Sequence, residues 1–402
     1  MWLLLLTLLA QSANPVEDGN QALDAKQYER ALSLFTQAAA ADPKDYAAQF
    51  QLALTYSLLD RHAEAIPHYA ASLALHPGFY EAELNLGLSL LRTNNPAGAI
   101  SHFRAAAAQN PKEMPAAVNL AQVLLDTGHF AEAEVAFTNV LALDPRAANA
   151  ESGLALSLAR QKRLDEAAPH FKQAAALDAR YRPGLLELGQ LYEAGGRTAE
   201  AAALYRQFPD DAAAAERNAV LLINMGQLAE GTQALEALLA KAPTDSRRVL
   251  LAQAYVKNRQ AAKAEAVIAP AVENAPGDVE LRMFYARLLR DQRKLPAAAQ
   301  QFAGVVRGKP DFAEAWSELA SVLVITEQYP QALDALDHVT ALGAETAGHM
   351  FFRALCLDRL KQRPQAVESY RKFLGATQGK FPDQEFQAKQ RVRILENEMR
   401  KK

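Results

Sequence analysis

Eight histidines, one cysteine and a glycine-lysine loop are the residues of this 402-residue chain whose types and spacing invite a chemical reading. Neutral imidazole is a common zinc ligand, and His68, His102 and His170 recur at intervals of 34 and 68 residues. That regularity argues against a metal site. It places each ring on a different helix of a periodic array, where neighbouring axes lie about 8–10 Å apart, whereas one ion needs each nitrogen within about 2 Å. His62 and His68, six apart, fall on opposite helical faces, and no H-E-x-x-H pattern occurs. The run Gly375-Ala376-Thr377-Gln378-Gly379-Lys380-Phe381 imitates a phosphate loop, but its spacing is one residue short. Phe381 stands where a hydroxyl must reach magnesium, and Pro382 follows where a long helix should start. Cys356, between Leu355 and Leu357, reads as a buried thiol without a basic partner. No catalytic residue, metal or cofactor is expected, and what remains is a surface.

Self-comparison shows which elements must carry that surface. Ala31, Ala65, Ala99, Ala133, Ala167 and Ala201 are spaced by 34; Gly231 follows after 30, Ala264 after 33, then Ala298, Ala332 and Ala366 at 34 each. Four residues after each stands a large apolar side chain: Phe35, Tyr69, Phe103, Phe137, Phe171, Tyr205, Leu235, Ile268, Phe302, Leu336 and Tyr370. Twelve residues before each stands Gly or Ala, from Gly19 and Ala53 through to Ala354. Prolines such as Pro43, Pro77, Pro111 and Pro145 close most repeats. Apolar residues at spacings of three and four on both sides of the small ones predict two amphipathic helices per repeat. The small residues let the two backbones approach while the large side chain wedges into the next repeat. Gly128, Gly196 and Gly226 suit the turn between the helices, and Pro296, Pro330 and Pro364 suit the start of the second. Each hairpin exposes an apolar face that only its neighbours can cover, which predicts a solenoid stabilised by nearest-neighbour interfaces.

Composition agrees and excludes alternatives. The chain is 50% hydrophobic and 22% charged, with net charge -3, neither basic enough for a nucleic-acid binder nor apolar-poor enough for disorder. One cysteine excludes an internal disulfide framework. No run of about 18 apolar residues could span a membrane. Trp2 to Ala10 is too short to span, and with Gln11-Ser12-Ala13 behind it reads as a secretory signal, although no Lys or Arg precedes it.

The pattern resembles the tetratricopeptide repeat family, whose helix pair follows W-x2-L-G-x2-Y, then A-x3-F, then P. Tyr80 to Glu113 carries Leu86-Gly87, Leu90, Ala99, Phe103, Ala106 and Pro111 in that phase, and the likeness extends over about residues 15 to 381. It implies an all-α fold, a right-handed superhelical solenoid of about eleven helix-turn-helix repeats, with a C-terminal capping helix. Repeats one to six are expected over 14–208 and seven to eleven over 209–381. The join lies where the spacing falls to 30 beside Pro209-Asp210-Asp211, read as a kink. Residues 382–402, with Phe386, Val392, Ile394 and Leu395 among polar residues, are expected to cap the array.

The resemblance further implies that the first helix of each pair lines a concave, ligand-binding face. Residues expected there are Phe50, Gln51, Leu54, Leu84, Asn85, Leu88, Val118, Asn119 and Gln122, with Gln51, Asn85 and Asn119 at one equivalent position. Carboxamides both donate and accept, which suits the backbone of an extended peptide whatever its sequence. A similar asparagine series lines the superhelix of protein O-GlcNAc transferases, but here it stops at Gly153 and Glu187. The family's carboxylate clamp is not evident, since Leu84, Leu88 and Pro115 hold the corresponding places. Residues 1–200 hold 15 basic against 22 acidic residues and residues 201–402 hold 28 against 24. Lys257, Arg287 and Arg290 therefore form a second candidate, a docking site for an acidic segment. The expected function is a non-catalytic scaffold that binds proteins or peptides in an exported, bacterial cell-envelope assembly. A non-catalytic adaptor of a glycosyltransferase or polysaccharide export system, and a cytoplasmic regulator, are the alternatives.

Overall fold

The computed structural model describes residues 14–400, so the expected signal segment lies outside the described residues. Within them are 23 α-helices, one 3-10 turn and no strand. The helices pair in chain order: α1 (Pro15–Asp24) with α2 (Tyr28–Ala41), α3 (Tyr46–Leu58) with α4 (His62–Leu75), α5 (Tyr80–Arg92) with α6 (Pro96–Gln109), and α7 (Met114–Asp126) with α8 (Phe130–Leu143). Next come α9 (Ala148–Arg160) with α10 (Leu164–Leu177), α11 (Pro183–Ala194) with α12 (Thr198–Tyr205), α13 (Ala212–Asn224) with α14 (Leu228–Lys241), and α15 (Asp245–Lys257) with α16 (Ala261–Asn274). The last pairs are α17 (Val279–Asp291) with α18 (Leu295–Gly308), α19 (Ala313–Ile325) with α20 (Tyr329–Ala341), and α21 (Ala347–Arg359) with α22 (Arg363–Thr377), followed by α23 (Pro382–Arg400). By its contacts the chain divides into two compact blocks, Met1–Leu204 and Tyr205–Lys402. In the first, α1 to α11 each pack on their sequence neighbours; in the second, α13 to α23 do the same. This is the all-α solenoid that the period predicts.

The core follows the period. All eleven large side chains four residues after the repeat alanine are no more than 1% exposed, and the small residues at the other two positions are buried as well. The large side chains pack in two directions: Phe103 lies against Gly87 of its own repeat, whereas Phe137 lies against Gly153 of the next. The shortened spacing before Gly231 is taken out of α12, which has 8 residues where the other second helices have 13 to 15.

Helix starts are fixed by polar caps and prolines. The Asp45, Asp211 and Asp278 carboxylates accept from free N–H groups of α3, α13 and α17, and Pro296, Pro330 and Pro364 occupy first-turn positions of α18, α20 and α22. The turn inside every hairpin passes through a left-handed residue five places before the repeat alanine: Lys26, Asp60, Asn94, Gly128, Lys162, Gly196, Gly226, Arg259, Arg293, Glu327 and Lys361. Only three are glycine. Elsewhere a Cβ is held where an L-residue is strained by roughly 1–2 kcal/mol. Arg293 and Glu327 are exposed. Arg293→Gly and Glu327→Gly are therefore expected to stabilise their repeats by about 0.5 kcal/mol each, after the entropic cost of glycine. Denaturant titration of each variant checks this; a loss of stability would refute it.

The cap forms as α23. Leu395 is buried and Val392 packs on the core, but Phe386 and Ile394, expected to pack with them, are 64% and 42% exposed. No helix among the described residues is long and apolar enough to cross a membrane.

Candidate peptide-binding surfaces

The first-helix face of repeats two to four carries the predicted stripe. Phe50, Gln51, Leu54, Leu84, Asn85, Val118 and Asn119 are half-buried, and Leu88 and Gln122 are exposed. Phe50 is anchored by rings, its centroid 4.8 Å from Phe79 and 5.8 Å from Tyr69. Asn85 and Leu88 line a hollow of about 320 Å³ together with Leu58, His62 and Arg92. Both asparagines donate one N–H to their own helix, Asn85 to the Glu81 carbonyl at 2.7 Å and Asn119 to that of Pro115 at 2.8 Å. The side-chain carbonyl stays available, so the amides are pre-oriented acceptors rather than two-way partners. Gln122 donates to Asp126 at 2.8 Å, and the Gln51 Oε1 is buried without a hydrogen-bond partner. The series ends at Gly153 for a physical reason: a Cβ there would lie 2.1 Å from the Phe137 ring.

The second predicted surface is already internally paired. Arg287 meets Glu314 and, at 3.6 Å, Glu318; Arg290 meets Glu318 and, at 2.8 Å, Asp291; Lys257 donates to Asn224 at 3.2 Å. Glu318 and Asp291 hold the Arg290 guanidinium firmly protonated. The acids of α19 stand 27 to 31 residues further on, close to one period, a relation that counting charges along the sequence does not expose.

A third surface was not anticipated. The recurring histidines join the two helices of a hairpin: His68 Nδ1–H donates to Gln49 at 2.8 Å, and His102 and His170 donate to Glu83 and Glu151 at 2.6 Å each. Every pair is 19 residues apart. Burial lowers the pKa of His68, which lacks a carboxylate partner. In repeat four the corresponding residues are Ala117 and Ala136, and there a hollow of about 690 Å³ opens between α6 and α8 over α7. Leu120, Leu124, Val135 and Leu143 line it beside the exposed Arg104–Glu132 ion pair at 2.7 Å. The signal was present in the sequence as two alanines in one repeat, but only the structure shows that these positions face each other.

The remaining chemical candidates resolve into structure. Cys356 is 0% exposed, and burial pushes its thiol up to about 11. In the glycine-lysine loop the Glu385 carboxylate accepts from the N–H of Gly379 at 2.7 Å and of Phe381 at 3.4 Å, where a phosphate loop would hold its ligand. A hydrogen bond from Thr377, then these backbone donors, lower its pKa. Among the described residues no three His, Cys, Asp or Glu side chains could hold a metal ion.

Comparison with curated proteins gives no match. Among solved structures, YrrB, described as a TPR protein with an unusual peptide-binding site, is 20% identical over 41% of this chain and 85% of its own, with a TM-score of 0.40. MamA is 21% identical over 41% of this chain and 91% of its own, with a TM-score of 0.39. A complex of Naa15 and Naa10 bound to HypK is 15% identical over 96% of this chain and 79% of the matched chain, with a TM-score of 0.46. Three tetratricopeptide repeat models match, one over residues 59–114, 118–184 and 286–337, one over 22–66 and 226–288, and one over 184–212. With eleven hairpins in one register, the chain belongs to the tetratricopeptide repeat family.

Proposed function

We propose that this chain is a non-catalytic scaffold that holds an extended protein segment on the first-helix face of repeats two to four, in an exported cell-envelope assembly. The observation that carries the reading is the hollow at Asn85 and Leu88, flanked by half-exposed Phe50, Leu54, Leu84 and Val118 repeating at 34 residues. Apolar side chains of a ligand would enter between these residues while its N–H groups reach the Asn85 and Asn119 carbonyls. Export follows from the apolar N-terminal run, and N-terminal sequencing of the mature protein tests it.

Crosslinked capture from the native envelope supplies the partner, and affinity measurements test the face. Asn85→Ala with Asn119→Ala is expected to weaken binding by about 1 kcal/mol per lost hydrogen bond, with folding unimpaired because alanine is the better helix former. Arg287→Glu with Arg290→Glu is the comparison, measured at two ionic strengths. A silent asparagine pair beside a decisive, salt-sensitive arginine pair would move the site to the second candidate surface.

A further inference from the structure

The groove that opens at Ala117 and Ala136 recurs, with different chemistry, in repeat nine. The residues at the same two register positions are Arg282 and Gln301. A hollow of about 310 Å³ lies there between α16 and α18 over α17, lined by Ala269, Val272, Pro276 and Tyr285 on its apolar side and by Arg282, Arg307, Gln300, Gln301 and Glu273 on its polar side. Arg282 has no ion-pair partner among the described residues, and its Nε is buried without a hydrogen bond. Its seat is cut into the neighbouring helix: a Cβ on Gly304 would stand 2.1 Å from the Arg282 Nη1. Glycine inside a helix costs about 1 kcal/mol against alanine, so α18 gives up stability at the point where it makes room for this guanidinium. Arg307 also lacks an ion-pair partner among the described residues.

We infer that this hollow is a binding site for the carboxylate side chain of an acidic peptide segment. Guanidinium groups match carboxylates as paired donors, and the Gln300 and Gln301 amides add further donors. Two guanidiniums against Glu273 leave one net positive charge, which suits a singly charged carboxylate better than a doubly charged phosphate. The apolar wall of Ala269, Val272 and Pro276 receives the methylenes that carry the acid. The site lies on the groove between second helices, away from the first-helix face, so it stands or falls independently of Asn85 and Asn119.

The test is titration of the full chain at low ionic strength with N-acetyl-Ala-Glu-Ala-amide, followed by calorimetry or NMR. One saturable site is expected, with the glutamine counterpart at least about tenfold weaker. Arg282→Gln is expected to reduce affinity for the glutamate peptide at least about tenfold, and Arg287→Gln, whose guanidinium is already paired, by less than about twofold. Gly304→Ala keeps both charges but fills the seat, and should reproduce the loss while circular dichroism shows an intact helical fold. Absence of saturation, equal binding of the glutamine peptide, or an unaffected Arg282→Gln variant would overturn the site. Tighter binding of the phosphoserine counterpart would overturn its carboxylate assignment.

Discussion

Replacing Gly153 with Asn is expected to destabilise the N-terminal block by roughly 3 kcal/mol, although it restores the residue type that the preceding repeats place in that register. The new Cβ would lie 2.1 Å from Phe137 Cζ, 2.4 Å from Cε1 and 2.5 Å from Cε2. Phe137 is 1% exposed, so the ring has no solvent-side position to take, and α9 must lift from α8 instead. The helix-propensity gain from losing a glycine is a few tenths of a kcal/mol and cannot compensate. Unfolding of the single variant and of Gly153→Asn combined with Phe137→Leu separates the causes. If the clash is responsible, the pair should be far less costly than the sum of the singles. A single variant as stable as the parent would show that α8 and α9 can slide apart freely, against the close packing inferred for this contact.

The same residues show what could be read in advance. The period was visible because each repeat commits three buried positions to small, small and large side chains, and solvent exclusion enforces those types everywhere. The left-handed turn position was visible only at Gly128, Gly196 and Gly226. At Lys162 or Glu327 the hairpin itself imposes the conformation through bonds such as Lys162 N–H to the Ala159 carbonyl at 2.9 Å, so side-chain type is a weak signal. Phe386 and Ile394 illustrate a different limit. In a helix where most residues are polar, hydrophobicity marks candidates for burial, but the direction of the preceding turn decides which face is covered. Surface charge was the least legible, because the partners of Arg287 and Arg290 stand in the next repeat.

Deletion of residues 382–402 is expected to open the last repeats while leaving α1 to α11 folded. Ala388 and Leu395 of α23 bury Ala354, Ala366, Tyr370 and Phe373 of repeat eleven, and removing the helix returns that surface to water. Three ion pairs hold it: Arg391 clasps Asp358 with two bonds of 2.7 Å, Arg363 meets Glu398 at 2.8 Å and Arg371 meets Glu396 at 2.6 Å. The Arg391 pair matters most, because the Asp358 side chain is only 8% exposed and also accepts from the Tyr370 hydroxyl at 3.3 Å. Arg391→Ala strands that carboxylate and should cost about 1–2 kcal/mol, discounted because Arg391 itself is 41% exposed. In a solenoid each repeat is stabilised by its neighbours, so losing the last interface lowers the stability of the adjacent repeats first. The truncated chain should therefore show a new low-temperature transition and concentration-dependent association through the uncovered face. Hydrogen exchange in α1 to α11 should match the full chain. Phe386→Ser, which removes an exposed ring from the outer side of α23, should produce neither effect. One transition displaced uniformly by the deletion would mean that the array unfolds as a single cooperative body, and the nearest-neighbour account of its stability would fail.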